Sequence, residues 1–171
     1  ALAVITGTGA PGGIGMACAR ALGAAGFDLA ITATSGRIEA RRAELMDEGF
    51  RVVAFQGDLT EPATVARLYD MTGPAAVLVN NAGMGSVNAP AEQRLFLDMT
   101  PEDWRRQMDT TLTTAVLVTQ AYLPAMLAAG QGCLIGRDRW DRRCEPVPPP
   151  LEGIRRQRKF AAGPGSVPGF P

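Results

Sequence analysis

Glycines crowd the stretch Thr6-Gly7-Thr8-Gly9-Ala10-Pro11-Gly12-Gly13-Ile14-Gly15, and their spacing suits one kind of chemistry: the gripping of a phosphate by backbone N–H groups. The apolar run from Leu2 to Thr6 reads as a short buried strand, and Met16 to Leu22 has helical composition. Between a strand and a helix, glycine supplies positive φ, and the missing Cβ lets the backbone close on a ligand. Thr8 to Gly15 fits T-G-x-x-x-G-x-G. The strand, however, runs directly into Thr6-Gly7, two residues earlier, and either Thr-Gly pair can be the structural one. Gly7, Gly9, Gly13, Ile14 and Gly15 are therefore the candidate phosphate-binding residues.

Groups able to move protons are scarce. The chain has no histidine, which removes histidine-based catalysis and histidine metal sites. Its tyrosines are Tyr69 and Tyr122, its serines Ser35, Ser86 and Ser166, and its single lysine Lys159. Cys18, Cys133 and Cys144 lie far apart without a C-x-x-C, so neither a disulfide framework nor a zinc site is expected, and a reducing cytoplasm suits them.

These residues need a scaffold, and 171 residues with 46% hydrophobic content can build one domain with a real core. Seventeen basic residues balance seventeen acidic ones, with no basic stripe, which argues against a nucleic-acid partner. No run of eighteen consecutive apolar residues and no signal peptide is visible, so no membrane partner is expected. The first residue is Ala1, and further residues are expected to precede it.

Strand and helix then alternate. Strands are expected at 27–32, 51–55, 75–79 and around 134–135, and helices at 37–48 and 62–69. Thr60 is the expected cap of the 62–69 helix. Thr100-Pro101-Glu102-Asp103 is a strong helix start, and that helix is expected to run to about residue 129 with a bend at Pro124. This alternation gives an α/β fold, a doubly wound parallel sheet of about five strands with right-handed crossovers. Beyond residue 135 the chain becomes rich in Arg, Pro and Gly without apolar period. Residues 1–135 thus read as one domain and 136–171 as an irregular tail.

Three further motifs fall at element ends. Gly57-Asp58-Leu59-Thr60 follows the third strand, Asn80-Asn81-Ala82-Gly83 ends the fourth, and Asp98 to Trp104 opens the long helix. With the glycine loop, in this order, they make residues 2–135 resemble the short-chain dehydrogenase/reductase family, nearest the 3-oxoacyl-[acyl-carrier-protein] reductase branch. The resemblance implies a Rossmann-like fold and hydride exchange between a nicotinamide cofactor and a small carbonyl or alcohol. It places Asp58 at the adenine with Leu59 beside it, and Asn81, Ala82 and Gly83 along the cofactor. It also implies a homo-oligomer through the 100–129 helix, whose Leu112, Ala115, Val116, Thr119 and Leu123 recur at helical spacing; packing on the sheet would need the same stripe.

Cofactor choice is read after the second strand, where an acid would hydrogen-bond the ribose 2′-hydroxyl of NAD. Here Thr34, Ser35 and Arg37 follow, with no acid before Glu39, which favours NADP over NAD. The family's catalytic set is not intact. Thr111 stands where its Asn is expected, and no serine follows the fifth strand. Lys159-Phe160-Ala161-Ala162-Gly163 resembles the text after Tyr-x-x-x-Lys, yet Arg155 occupies the tyrosine position. Thr111 and Lys159 are the remaining catalytic candidates, in a chain expected to be a truncated, inactive fragment. The alternative is a non-catalytic nucleotide- or partner-binding remnant. Residues 137–158 are further expected to be read out of frame. A nucleotide sequence in which no one- or two-base shift yields Tyr-x-x-Ser ahead of Lys159 would end that idea.

Overall fold

The computed structural model describes residues 1–83 and 96–136. Lys159, Ser86 and the 137–171 stretch, with its expected frame shift, lie outside the described residues.

Branched and small apolar residues form β1 (Leu2–Ile5), β2 (Asp28–Ala33), β3 (Val52–Gln56), β4 (Val77–Asn80) and β5 (Cys133–Gly136). The strands make one parallel sheet in the order β3-β2-β1-β4-β5. Ala3 of β1 lies opposite Leu29 of β2 and Val77 of β4, so all the carboxyl ends point to the same edge. Between the strands run α1 (Ile14–Ala24), α2 (Ile38–Asp47), α3 (Pro62–Thr72), α4 (Pro101–Met108) and α5 (Thr114–Ala129).

Strand side chains alternate between two cores, as a period of two requires. Ala3, Ile5, Leu29, Ile31, Val77 and Val79 pack with Met16 and Ala19 of α1 and Ile38 and Leu45 of α2. Val4, Ala30 and Leu78 pack on the other face with Val65 and Leu68 of α3 and Val118, Tyr122 and Met126 of α5. Helices therefore cover both faces, and the expected doubly wound architecture is the one found.

Two local expectations need correction. Thr60 does not cap α3: its hydroxyl and N–H both go to the Asp58 carboxylate, and Glu61 takes the N-cap position without a side-chain bond. The long helix also departs from α geometry well before Pro124. Asp109–Thr113 forms a π-turn between α4 and α5, with the Thr114 N–H reaching the Asp109 carbonyl. The Thr114 hydroxyl donates to that carbonyl as well, at 3.1 Å. Length and composition alone would let Pro101–Ala129 cross a bilayer, but Thr114, Val118, Tyr122 and Met126 are spent on packing within the domain.

The start of α4 is the expected one. Asp103 N donates to Thr100 Oγ1 at 3.2 Å, and Thr100 N donates back to Asp103 Oδ2 at 2.9 Å, a complete capping box. Thr100→Ala should cost about 1 kcal/mol, read as a lowered urea midpoint at unchanged slope. An unchanged midpoint would mean that α4 contributes little to the cooperative unit.

Candidate nucleotide-binding site

The glycine loop follows β1, Thr34–Arg37 follow β2, Asp58 follows β3 and Asn81–Gly83 follow β4. All four segments thus leave the carboxyl edge of the sheet, where the strand order reverses between β1 and β4.

That reversal is closed by Thr6, which is wholly buried. Its hydroxyl donates to the Val79 carbonyl at 3.2 Å and accepts from the N–H groups of Asn81 at 3.0 Å and Ala82 at 2.9 Å. Asn81 Nδ2 donates in turn to the carbonyls of Thr6 at 3.0 Å and Gly7 at 2.9 Å. Gly7 has φ +72°, and a Cβ there would stand 2.8 Å from Ala82 Cα. Thr6-Gly7 is therefore the structural pair, and Thr8-Gly9 belongs to the loop proper. The sequence leaves Thr6 as half of one of two possible structural pairs, because its role depends on β4, far along the chain.

Gly15 brings the helix in. A Cβ on it would meet Asn81 Nδ2 and the Gly7 carbonyl at 2.8 Å, so α1 starts against the β1/β4 junction. Gly13 is the N-cap, no side chain caps the helix, and no acid sits in its first turn. The leading N–H groups of a helix lack intrahelical partners and carry partial positive charge. An uncapped start at this edge fits an anionic group such as a pyrophosphate. Ile14, 61% exposed, stands at its mouth.

The remaining candidates surround this start. Thr34 is exposed, while Ser35 and Arg37 are half-buried, with Arg37 at the N-cap of α2. Asp58 is exposed, and its Oδ1 accepts from Thr60 N at 3.0 Å and Thr60 Oγ1 at 2.7 Å, a turn that orders the loop after β3. Leu59 is buried in the α3/α5 core. Thr111, in the π-turn, reaches the segment after β4: a Cβ on Gly83 would lie 3.3 Å from its Oγ1. Asn80 donates through Nδ2 to Thr119 Oγ1 at 2.9 Å, while its Oδ1 is buried without a partner among the described residues.

A sequence profile of the short chain dehydrogenase family matches residues 2–136. The chain belongs to the short-chain dehydrogenase family. Galactitol 2-dehydrogenase of Rhizobium johnstonii is 32% identical over an aligned stretch of 137 residues, with 78% of this chain and 51% of that protein covered. A metagenomic short-chain oxidoreductase solved with NADP is 31% identical at a TM-score of 0.67, covering 79% of this chain and 60% of that one. The 3-oxoacyl-[acyl-carrier protein] reductase of Brucella melitensis, solved with NAD, is 41% identical at a TM-score of 0.63, covering 77% and 53%. The chain spans about half the length of the curated relatives it matches.

Proposed function

We propose that residues 1–135 form the NADP(H)-binding part of a short-chain oxidoreductase acting on a small carbonyl or alcohol, with 3-oxoacyl thioesters as the favoured substrate class. The observation that carries this is the junction of Thr6-Gly7 with Asn81-Ala82, which holds an uncapped helix start at the carboxyl edge. Backbone N–H groups of Ile14 and Gly15 bind the pyrophosphate, with Gly13 leaving room for its approach, Asp58 faces the adenine, and Asn81, Ala82 and Gly83 line the nicotinamide side. When bound, the nicotinamide supplies or accepts the hydride.

NADP is favoured over NAD because Thr34, Ser35 and Arg37 offer hydroxyls and a guanidinium where an acid would repel a 2′-phosphate. The NADP complex of the metagenomic relative supports this choice, and the NAD complex of the Brucella reductase shows that the fold also accepts the other nucleotide. Calorimetry on the 171-residue chain should show NADPH binding more tightly than NADH. Tighter NADH binding reverses the cofactor assignment, and binding of neither removes the nucleotide site.

A second reading, a nucleotide- or partner-binding remnant without catalysis, is favoured by Thr111 in place of Asn and Arg155 in place of Tyr. Self-association fits both readings. The buried stripe of α5 is Thr114, Val118, Tyr122 and Met126, whereas Leu112 and Val116 are 46% and 44% exposed. We expect the Leu112/Val116 face to pair with a second copy, giving a sedimentation mass of two chains, lowered to one by Val116→Glu. A mass of one chain for the unaltered protein would remove the pairing and leave the fold untouched.

A further inference from the structure

We propose that the contact of Thr8-Gly9 with Thr32-Ala33 is a positioning device for cofactor choice, through which the lengthened glycine loop sets where Thr34, Ser35 and Arg37 meet the ribose 2′ position. It rests on the NADP reading above.

With Thr6-Gly7 as the structural pair, the loop to Gly13-Ile14-Gly15 is two residues longer than T-G-x-x-x-G-x-G allows. The added length is built into the sheet. After Gly7 turns the chain, Thr8 returns it to β2: its N–H and its hydroxyl both donate to the Thr32 carbonyl, at 2.8 and 3.0 Å. Thr8 is wholly buried, so both hydrogen bonds to this one carbonyl are shielded from water. The rest of the length closes in a turn, with Gly13 N donating to the Ala10 carbonyl at 3.1 Å.

Gly9 then lies against the last residue of β2. A Cβ on Gly9 would stand 3.3 Å from Ala33 Cβ, tighter than side chains normally pack. From the opposite side, Gly57 N donates to the Ala33 carbonyl at 3.0 Å. Ala33 is thus held between the glycine loop and the loop that carries Asp58. Thr34 is the next residue, so the segment that reads the 2′ substituent leaves the strand from this clamp. Charge-assisted hydrogen bonds to a phosphate are short and directional, and a displacement of a few tenths of an ångström weakens them. NADH makes no such bonds at this position and should be less sensitive.

The test is calorimetry with NADPH and NADH on the full chain. Gly9→Ala should lower the preference for NADPH over NADH by about five- to tenfold, the loss expected from one charged hydrogen bond only partly displaced. Adding Ala33→Gly removes the opposing methyl and should bring the preference back to within about twofold of the original. Gly12→Ala, in open space on the same loop, should leave the preference unchanged. Should Gly9→Ala fail to fold by circular dichroism, Thr8→Val provides the second variant. It keeps the branched shape, loses only the hydroxyl bond to Thr32, and should shift the preference in the same direction. Equal weakening of both nucleotides, no change in either, or a double variant that is not rescued would overturn the proposal. If the unaltered chain prefers NADH or binds neither nucleotide, the NADP reading itself fails and takes this proposal with it.

Discussion

Gly7→Ala should destabilise the fold by about 2–4 kcal/mol, whereas Gly9→Ala should cost less than about 1 kcal/mol. Two effects add at Gly7. A φ of +72° disfavours any Cβ, at about 1–2 kcal/mol, and this Cβ would press on backbone rather than on a flexible side chain. Relief requires moving Ala82, which would strain the bonds from Asn81 and Ala82 to the Thr6 hydroxyl. At Gly9 the opposing atom is a methyl that needs to yield only slightly. Against a typical total of about 5–15 kcal/mol, the Gly7 loss is large enough to read directly from urea midpoints. Nucleotide binding should disappear with it, because the same junction seats α1. Should Gly9→Ala be the damaging change and Gly7→Ala the mild one, Thr8-Gly9 would be the structural pair and the site would have to be rebuilt around it.

Periodicity made the sheet legible. Phe27–Thr32, Arg51–Phe55 and Ala75–Val79 are short apolar runs between helical segments, and each lies within two residues of the strand found. The Thr-Gly ambiguity was beyond sequence, because Gly7 is defined by its contact with Ala82, just past a strand that follows three helices later. Thr60 failed as a cap for a local reason. The Asp58 carboxylate takes both the Thr60 N–H and its hydroxyl proton in a local turn, and the helix begins one residue later, with Glu61 at the N-cap.

The π-turn was also hidden, since Asp109-Thr110-Thr111-Leu112-Thr113 reads simply as weak helix. Threonine hydroxyls at and beside it add second bonds to carbonyls that already accept a backbone N–H: Thr110 Oγ1 donates to Arg106 O at 3.0 Å, and Thr114 Oγ1 to Asp109 O. That turn is where Thr111 comes up against Gly83, so the irregularity and the candidate site coincide. Likewise, the outward and inward stripes of the long helix were equally apolar in sequence, and only the sheet distinguishes Val118 from Val116.

The 171-residue chain should show no detectable NADPH oxidation with acetoacetyl thioesters or simple ketones. Hydride transfer leaves a developing alkoxide that must be protonated or stabilised as the charge forms. Thr111 offers one hydroxyl and no amide. Neither tyrosine can take over the acid's role. Tyr122 is wholly buried, burial pushes its phenol up despite the bond to Thr72, and Thr72 ends α3, which places that hydroxyl toward the amino edge of the sheet. Tyr69 packs edge-on against it, ring centres 5.1 Å apart. Loss of one positioned acid costs about 10²- to 10⁴-fold, and on the proposed reading the serine, tyrosine and asparagine positions are all filled by other residues. Measurable turnover that Gly13→Asp abolishes and Lys159→Ala leaves intact would reveal a different catalytic group. The decisive companion joins residues 1–136, carrying Thr111→Asn, to the complementary carboxy-terminal portion of an intact family member, with its serine, tyrosine and lysine. Recovered reductase activity would establish this chain as a competent cofactor half. A folded chimera that binds NADPH without turnover would instead favour the binding-remnant reading.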